Sequence, residues 1–140
     1  MIDEVGQKYL DELKQAGVVI DDTPETQRYL AMRGARGGTW NDNLATDPNL
    51  GAQRVTILLG SNANNATVYE EYLHFKELEA RNWVGPSPDS AEYYMEEIRV
   101  ERQVLANATM LKMTPAEQAE LRQVLQGYID NLYAAYSIQM

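Results

Sequence analysis

Arg54-Val55-Thr56-Ile57-Leu58-Leu59-Gly60-Ser61-Asn62-Ala63-Asn64-Asn65-Ala66-Thr67-Val68-Tyr69-Glu70-Glu71-Tyr72-Leu73-His74 is the stretch that decides the fold class. Residues 54–60 are the best strand in the chain, a β-branched and aliphatic run closed by glycine. Ser61–Asn65 reads as a turn, and the spacing that follows predicts a helix from about Ala66 to Asn82. The chain therefore needs both a sheet and helices.

Working outward, residues 2–16 read as a helix with Val5, Tyr9, Leu10 and Leu13 on one side and Gly17 past its end. Val18-Val19-Ile20 is a short β-branched run. Asp22-Thr23-Pro24-Glu25 opens a second helix that runs to about Met32. Residues 33–53 are rich in glycine, asparagine and aspartate and read as loop, with a short strand near Thr39-Trp40. Downstream, Gly85-Pro86-Ser87-Pro88-Asp89-Ser90 breaks the helix that contains His74 and sets up another from about Ala91 to Lys112. Thr114-Pro115-Ala116-Glu117 carries a capping residue, a first-turn proline and a capping-box acid. The last helix places Leu121, Val124, Leu125, Tyr128 and Leu132 at core spacing. The expected fold is α+β, mostly helical with a small β-sheet, a single domain over residues 1–140 with no internal boundary.

Composition narrows the chemistry. The 140 residues are 44% hydrophobic and 24% charged, as in an ordinary globular protein. With no cysteine, disulfides, thiolate metal sites and cysteine nucleophiles are excluded. The net charge of −9, from 12 basic and 21 acidic side chains, argues against nucleic acid as a partner. Arg28, Arg33 and Arg36 gather the basic charge only weakly. Arg33-Gly34-Ala35-Arg36-Gly37-Gly38 matches no nucleotide motif, so no cofactor-binding residue is assigned. No apolar stretch reaches transmembrane length and the amino terminus lacks the features of a signal peptide, so a soluble protein with no membrane partner is expected.

The only histidine, His74, follows Glu70 by four residues and Glu71 by three. On a helix, residues four apart stack on one face. The metallopeptidase motif His-Glu-x-x-His uses that geometry, with two imidazoles on zinc and the glutamate as base. Here Glu70 stands where the first histidine would. Glu70 and His74 are candidate metal ligands and Glu71 the candidate catalytic base. The competing reading is a polar helix surface with two ordinary pairs, Glu70 with His74 and Glu77 with Arg81.

The next helix shifts the balance. Glu97 and Glu101 fall in an apolar stripe with Tyr94, Ile98, Val104, Leu105 and Ala108, while Glu92, Glu96 and Gln103 are expected to face solvent. Buried carboxylates in adjacent turns call for a cation or a matched donor. Arg99 and Arg102 point away from that stripe. Glu97 lies 23 residues after His74, and one broad class of zinc peptidases takes its third ligand from a glutamate at about that distance on a later helix. Glu97 and Glu101 therefore join the candidate metal set. A divalent cation is the expected cofactor: zinc first, with manganese or iron also suited to so many oxygens. Tyr94 and Tyr128 read as core.

Three pieces carry a family resemblance: the strand Val55-Thr56-Ile57-Leu58-Leu59, the helix opening Ala66 to His74, and Glu96-Glu97-Ile98 through Leu105-Ala106-Asn107-Ala108. Residues 54–111 resemble the zincin-like metallopeptidase toxin domains at the carboxyl ends of bacterial polymorphic toxins. The resemblance implies a zincin-like fold, hydrolysis of a peptide or amide bond, Glu71 and His74 as central residues and Glu97 as the downstream acid. It implies a protein or peptide substrate, a cognate immunity protein, and delivery as part of a larger secreted toxin. The strand before the helix would border the cleft, where an extended substrate adds as a further strand. The missing first histidine departs from the pattern. Two other readings stand beside it: an acidic interaction domain of immunity or scaffold type, and a metal-free toxin enzyme using the same Glu/His cluster.

Overall fold

In a computed structural model that describes residues 1–42 and 49–140, the decisive strand β3 (Val55–Leu59) buries Val55, Ile57 and Leu59 and leaves Thr56 and Leu58 half-buried. That alternation is what one strand face turned to a core produces. The part of the expected 33–53 loop at 43–48 lies outside the described residues. The chain forms two compact units, Met1–Gly85 and Pro86–Met140, divided where the sequence shows only a helix break.

In the first unit, β3 is the middle of a three-stranded sheet ordered β1-β3-β2. The edge strand β1 (Val19–Asp21) runs parallel to β3, with Ile20 opposite Ile57. On the other side β2 (Gly37–Asn41) runs antiparallel, with Thr39 opposite Ile57. Both hydrogen-bonding edges of β3 are thus occupied. This corrects the expectation that an extended substrate adds to the strand before the helix: a strand has two edges, and β3 has none to offer.

Among the described residues three α-helices and a short 3-10 turn at Gly51–Arg54 complete the unit. The N-terminal helix α1 (Glu4–Ala16) is capped by Asp3, whose side chain accepts from the Val5 N–H, and is closed by Gly17 at φ 101°. Thr23 caps α2 (Pro24–Met32), with the proline in its first turn. Asn64 and Thr67 form a reciprocal capping box at the start of α3 (Asn65–Ala80). The core joins Leu10 and Leu13 of α1, Val55, Ile57 and Leu59 of β3, and Val68, Phe75 and Leu78 of α3. Each such side chain contributes about 1.5–3 kcal/mol by leaving water. Asn65 ties the two helix starts together. Its Oδ1 accepts from the backbone N–H groups of Asp3 (3.0 Å) and Gly6 (3.2 Å), and its Nδ2 donates to Asp3 Oδ1. Gly6 permits the approach, since a Cβ there would lie 2.6 Å from Asn65 Oδ1.

The second unit pairs α4 (Ala91–Ala106) with α5 (Pro115–Tyr136). The helix expected to run to Lys112 stops at Ala106. Asn107 Nδ2 donates to the Gln103 carbonyl at 2.8 Å, taking the acceptor that its own N–H would use in a continuing helix. The chain then turns, with Ala108 and Leu111 buried, to Lys112 at φ 58°. On α5, Leu132 is buried and Leu121, Leu125 and Tyr128 are half-buried. Val124, expected in that stripe, is 45% exposed at its margin. Among the described residues no helix is long and apolar enough to cross a membrane.

Candidate functional site

The α3 backbone stacks Glu70 under His74, and Glu70 Oε1 lies 4.0 Å from His74 Nε2. His74 is the more enclosed, its side chain 12% exposed against 32% for Glu70. One turn on, Arg81 Nε is 4.0 Å from Glu77 Oε2. Both pairs of the polar-surface reading are thus present. The first is also chemically apt for a cation. Two bonds of about 2.1 Å to one metal span at most about 4.2 Å, so the two atoms fit a shared ion after a small side-chain adjustment. Glu70 and His74 offer a carboxylate oxygen and an imidazole nitrogen, donors that could hold a metal ion.

Glu71 occupies a different setting. Its residue is 5% exposed, and Thr39 Oγ1 on β2 donates a short hydrogen bond to Glu71 Oε2. Helix and strand approach closely here because Gly37 has no side chain. A Cβ at Gly37 would meet Thr67 Cγ2 at 2.7 Å and Leu58 O at 3.1 Å, with Glu71 Cγ at 3.6 Å. The carboxylate is therefore fixed against the sheet by a neighbour the sequence does not reveal. The sequence places Thr39 only in a short strand. Its contact with Glu71 follows from sheet register, which nothing local encodes.

Beside these acids the first unit holds a tyrosine group. The Tyr9 ring is 4.9 Å from both the Tyr69 and Tyr72 rings, centroid to centroid. Tyr72 donates to Glu12 Oε1 at 3.2 Å. Burial first, then the Glu12 charge and that hydrogen bond, push the Tyr72 hydroxyl up to about 12.

On α4 Glu101 is 1% exposed and Glu97 is half-buried, as their place in the apolar stripe requires. Arg99 and Arg102 are exposed, as expected. Glu96 departs from expectation: assigned to the solvent side, it is buried. The reason is the width of the buried arc, which runs from Glu96 through Val100, Val104 and Glu101 to Ile98, more than half the helix circumference. Tyr128 of α5 adjoins these acids. Burial raises its hydroxyl pKa most, followed by Glu97, Tyr93 and Glu101. The Tyr93 ring meets it nearly edge-on, 6.4 Å between centroids. In the sequence Tyr128 reads as core, and no signal there ties it to Glu97 and Glu101.

No family model matches the chain, and neither a curated protein nor a solved structure matches it.

Proposed function

We propose that this chain is a metal-dependent hydrolase of peptide or amide bonds, a zincin-like toxin effector. Glu70 and His74 hold a divalent cation, Glu97 supplies a third donor by its place 23 residues further on, and Glu71 is the general base. Glu101 is a further ligand or an acid behind Glu97. The observation that carries the reading is the 4.0 Å separation of Glu70 Oε1 and His74 Nε2 on one helix face. Two carboxylates and one neutral imidazole balance a dication, and zinc is the first choice over manganese or iron. A bound cation supplies Lewis-acid polarisation of the scissile carbonyl. The chain's part is to hold the base. Thr39 fixes one oxygen of Glu71, so the carboxylate is kept in a single orientation and receives a proton without prior rearrangement. A protein or peptide substrate, a cognate immunity protein and carriage within a larger secreted toxin belong to the same proposal.

Metal titration of the purified chain tests the ligand set. One equivalent of zinc or manganese should bind, and replacing both Glu70 and His74 by alanine should weaken binding by about a hundredfold. Expression in a bacterium should slow growth, and Glu71→Gln should relieve the effect while leaving metal affinity intact. Absence of metal binding, with no response to added zinc or manganese, overturns the mechanism. The Thr39–Glu71 hydrogen bond favours one second reading, a non-catalytic interaction domain in which Glu71 only ties helix to strand. On that reading Glu71→Gln lowers thermal stability and leaves growth unchanged.

A further inference from the structure

Of the acid-free stretches in this acidic chain, one is also the richest in arginine. Between Glu25 and Asp42, residues 26–41 contain Arg28, Arg33 and Arg36 and neither aspartate nor glutamate, against 21 acidic residues in the whole. The end of α2 displays this charge. Arg28, Tyr29, Met32 and Arg33 are all exposed, and their spacing sets them on one continuous face that Glu25 joins one turn earlier, so its two arginines outnumber its one acid, while Leu30 turns inward to anchor the helix. Met32 is 89% and Tyr29 47% exposed. The Arg33 guanidinium lies over the Tyr29 ring, 4.5 Å from its centroid, so the pair is already arranged in the free protein. The chain then leads through Gly34 at φ 66° into β2, whose Trp40 is 56% exposed.

Arginine, methionine and aromatic side chains are the types enriched in protein interfaces, and lysine, aspartate and glutamate the types depleted there. Met32 and the Tyr29 ring thus set exposed apolar surface directly beside two arginines. We infer that the end of α2, with Arg28, Tyr29, Met32 and Arg33, is a docking surface for an acidic segment of a partner protein that also carries apolar side chains. Charge complementarity selects the acidic partner. Met32 and the Tyr29 ring select one with apolar side chains, because an exposed thioether gains nothing from a phosphate backbone. The remaining net charge of the chain works against a long polyanion.

The test uses the full chain and a labelled short peptide alternating glutamate with leucine and phenylalanine. Its controls are an all-glutamate peptide, a serine–leucine peptide and a single-stranded oligonucleotide. The mixed peptide should bind best. Arg28→Glu with Arg33→Glu, and separately Met32→Ser, should each weaken it by about tenfold or more. Amide shifts on titration should centre on residues 28–33. These side chains are exposed, so circular dichroism should show the variants folded. The inference fails if the mixed peptide does not bind or if the variants bind it unchanged. It fails equally if the all-glutamate peptide matches it or the oligonucleotide binds more tightly.

Discussion

At the scale of single residues, this protein is defined by where its polar groups are placed. Tyr72 shows how such a placement becomes a pH dependence. Its hydroxyl is pushed from 10.0 up to about 12 by burial and by Glu12. The folded chain keeps that proton between these values while the unfolded chain gives it up. The contribution to stability is therefore complete below about pH 10 and is lost as pH rises through 12. Tyr72→Phe should unfold with a shallower loss of stability between pH 10 and 12 than the parent, read from urea midpoints. The acids show which residue properties can be read in advance. Glu101 sits among apolar neighbours at helical spacing, and it is buried. Glu96 has the same chemistry one step outside the stripe and is buried too, because the arc is wider than an apolar count suggests. The partner of Glu71 was not legible at all, since Thr39 is 32 residues away.

Elements were the most legible level, because their signals are local. Thr114 Oγ1 accepts from the Glu117 N–H at 3.1 Å and Glu117 Oε1 accepts from the Thr114 N–H at 2.9 Å, a reciprocal pair within four residues. Thr114→Ala should cost about 0.5–2 kcal/mol of stability, measured by urea unfolding, with the helical signal otherwise preserved. The start of α2 at Thr23-Pro24 and the stop of α1 at Gly17 are equally local. The end of α4 is the instructive miss. Ala108 and Leu111 continue a helical apolar pattern, yet one asparagine side chain diverts a carbonyl and ends the helix five residues before Leu111. Periodicity registers which residues seek the core and is blind to whether the backbone between them is helical.

For the whole molecule, charge sets the balance. A net −9 repels itself in the compact state, and salt screens that repulsion. Raising sodium chloride from about 0.01 to 0.15 M should raise the midpoint of thermal unfolding, by about 2–4 °C for each kcal/mol relieved. A midpoint that falls would mean that local pairs such as Glu77 with Arg81 outweigh the net repulsion. The mixed class of the fold could be read from one strand–turn–helix stretch. The order β1-β3-β2 could not, because strand partners are chosen by tertiary packing. The same gap misplaced the substrate edge on β3. The two compact units were hidden for a similar reason: Gly85-Pro86 reads alike as a helix break or as a division between units. Order of assembly follows from Asn65. The Asp3 N–H that it satisfies is 62 positions earlier in the chain, and the Gly6 N–H 59. During synthesis α1 emerges long before that partner exists, so beyond its own Asp3 cap its opening turn gains these two hydrogen bonds only once α3 is made. The second unit's cap at Thr114 closes as soon as three further residues follow. The earlier-made of these two units is thus the slower to complete, and the aromatic and aliphatic face of α1 stays uncovered on the ribosome until α3 arrives.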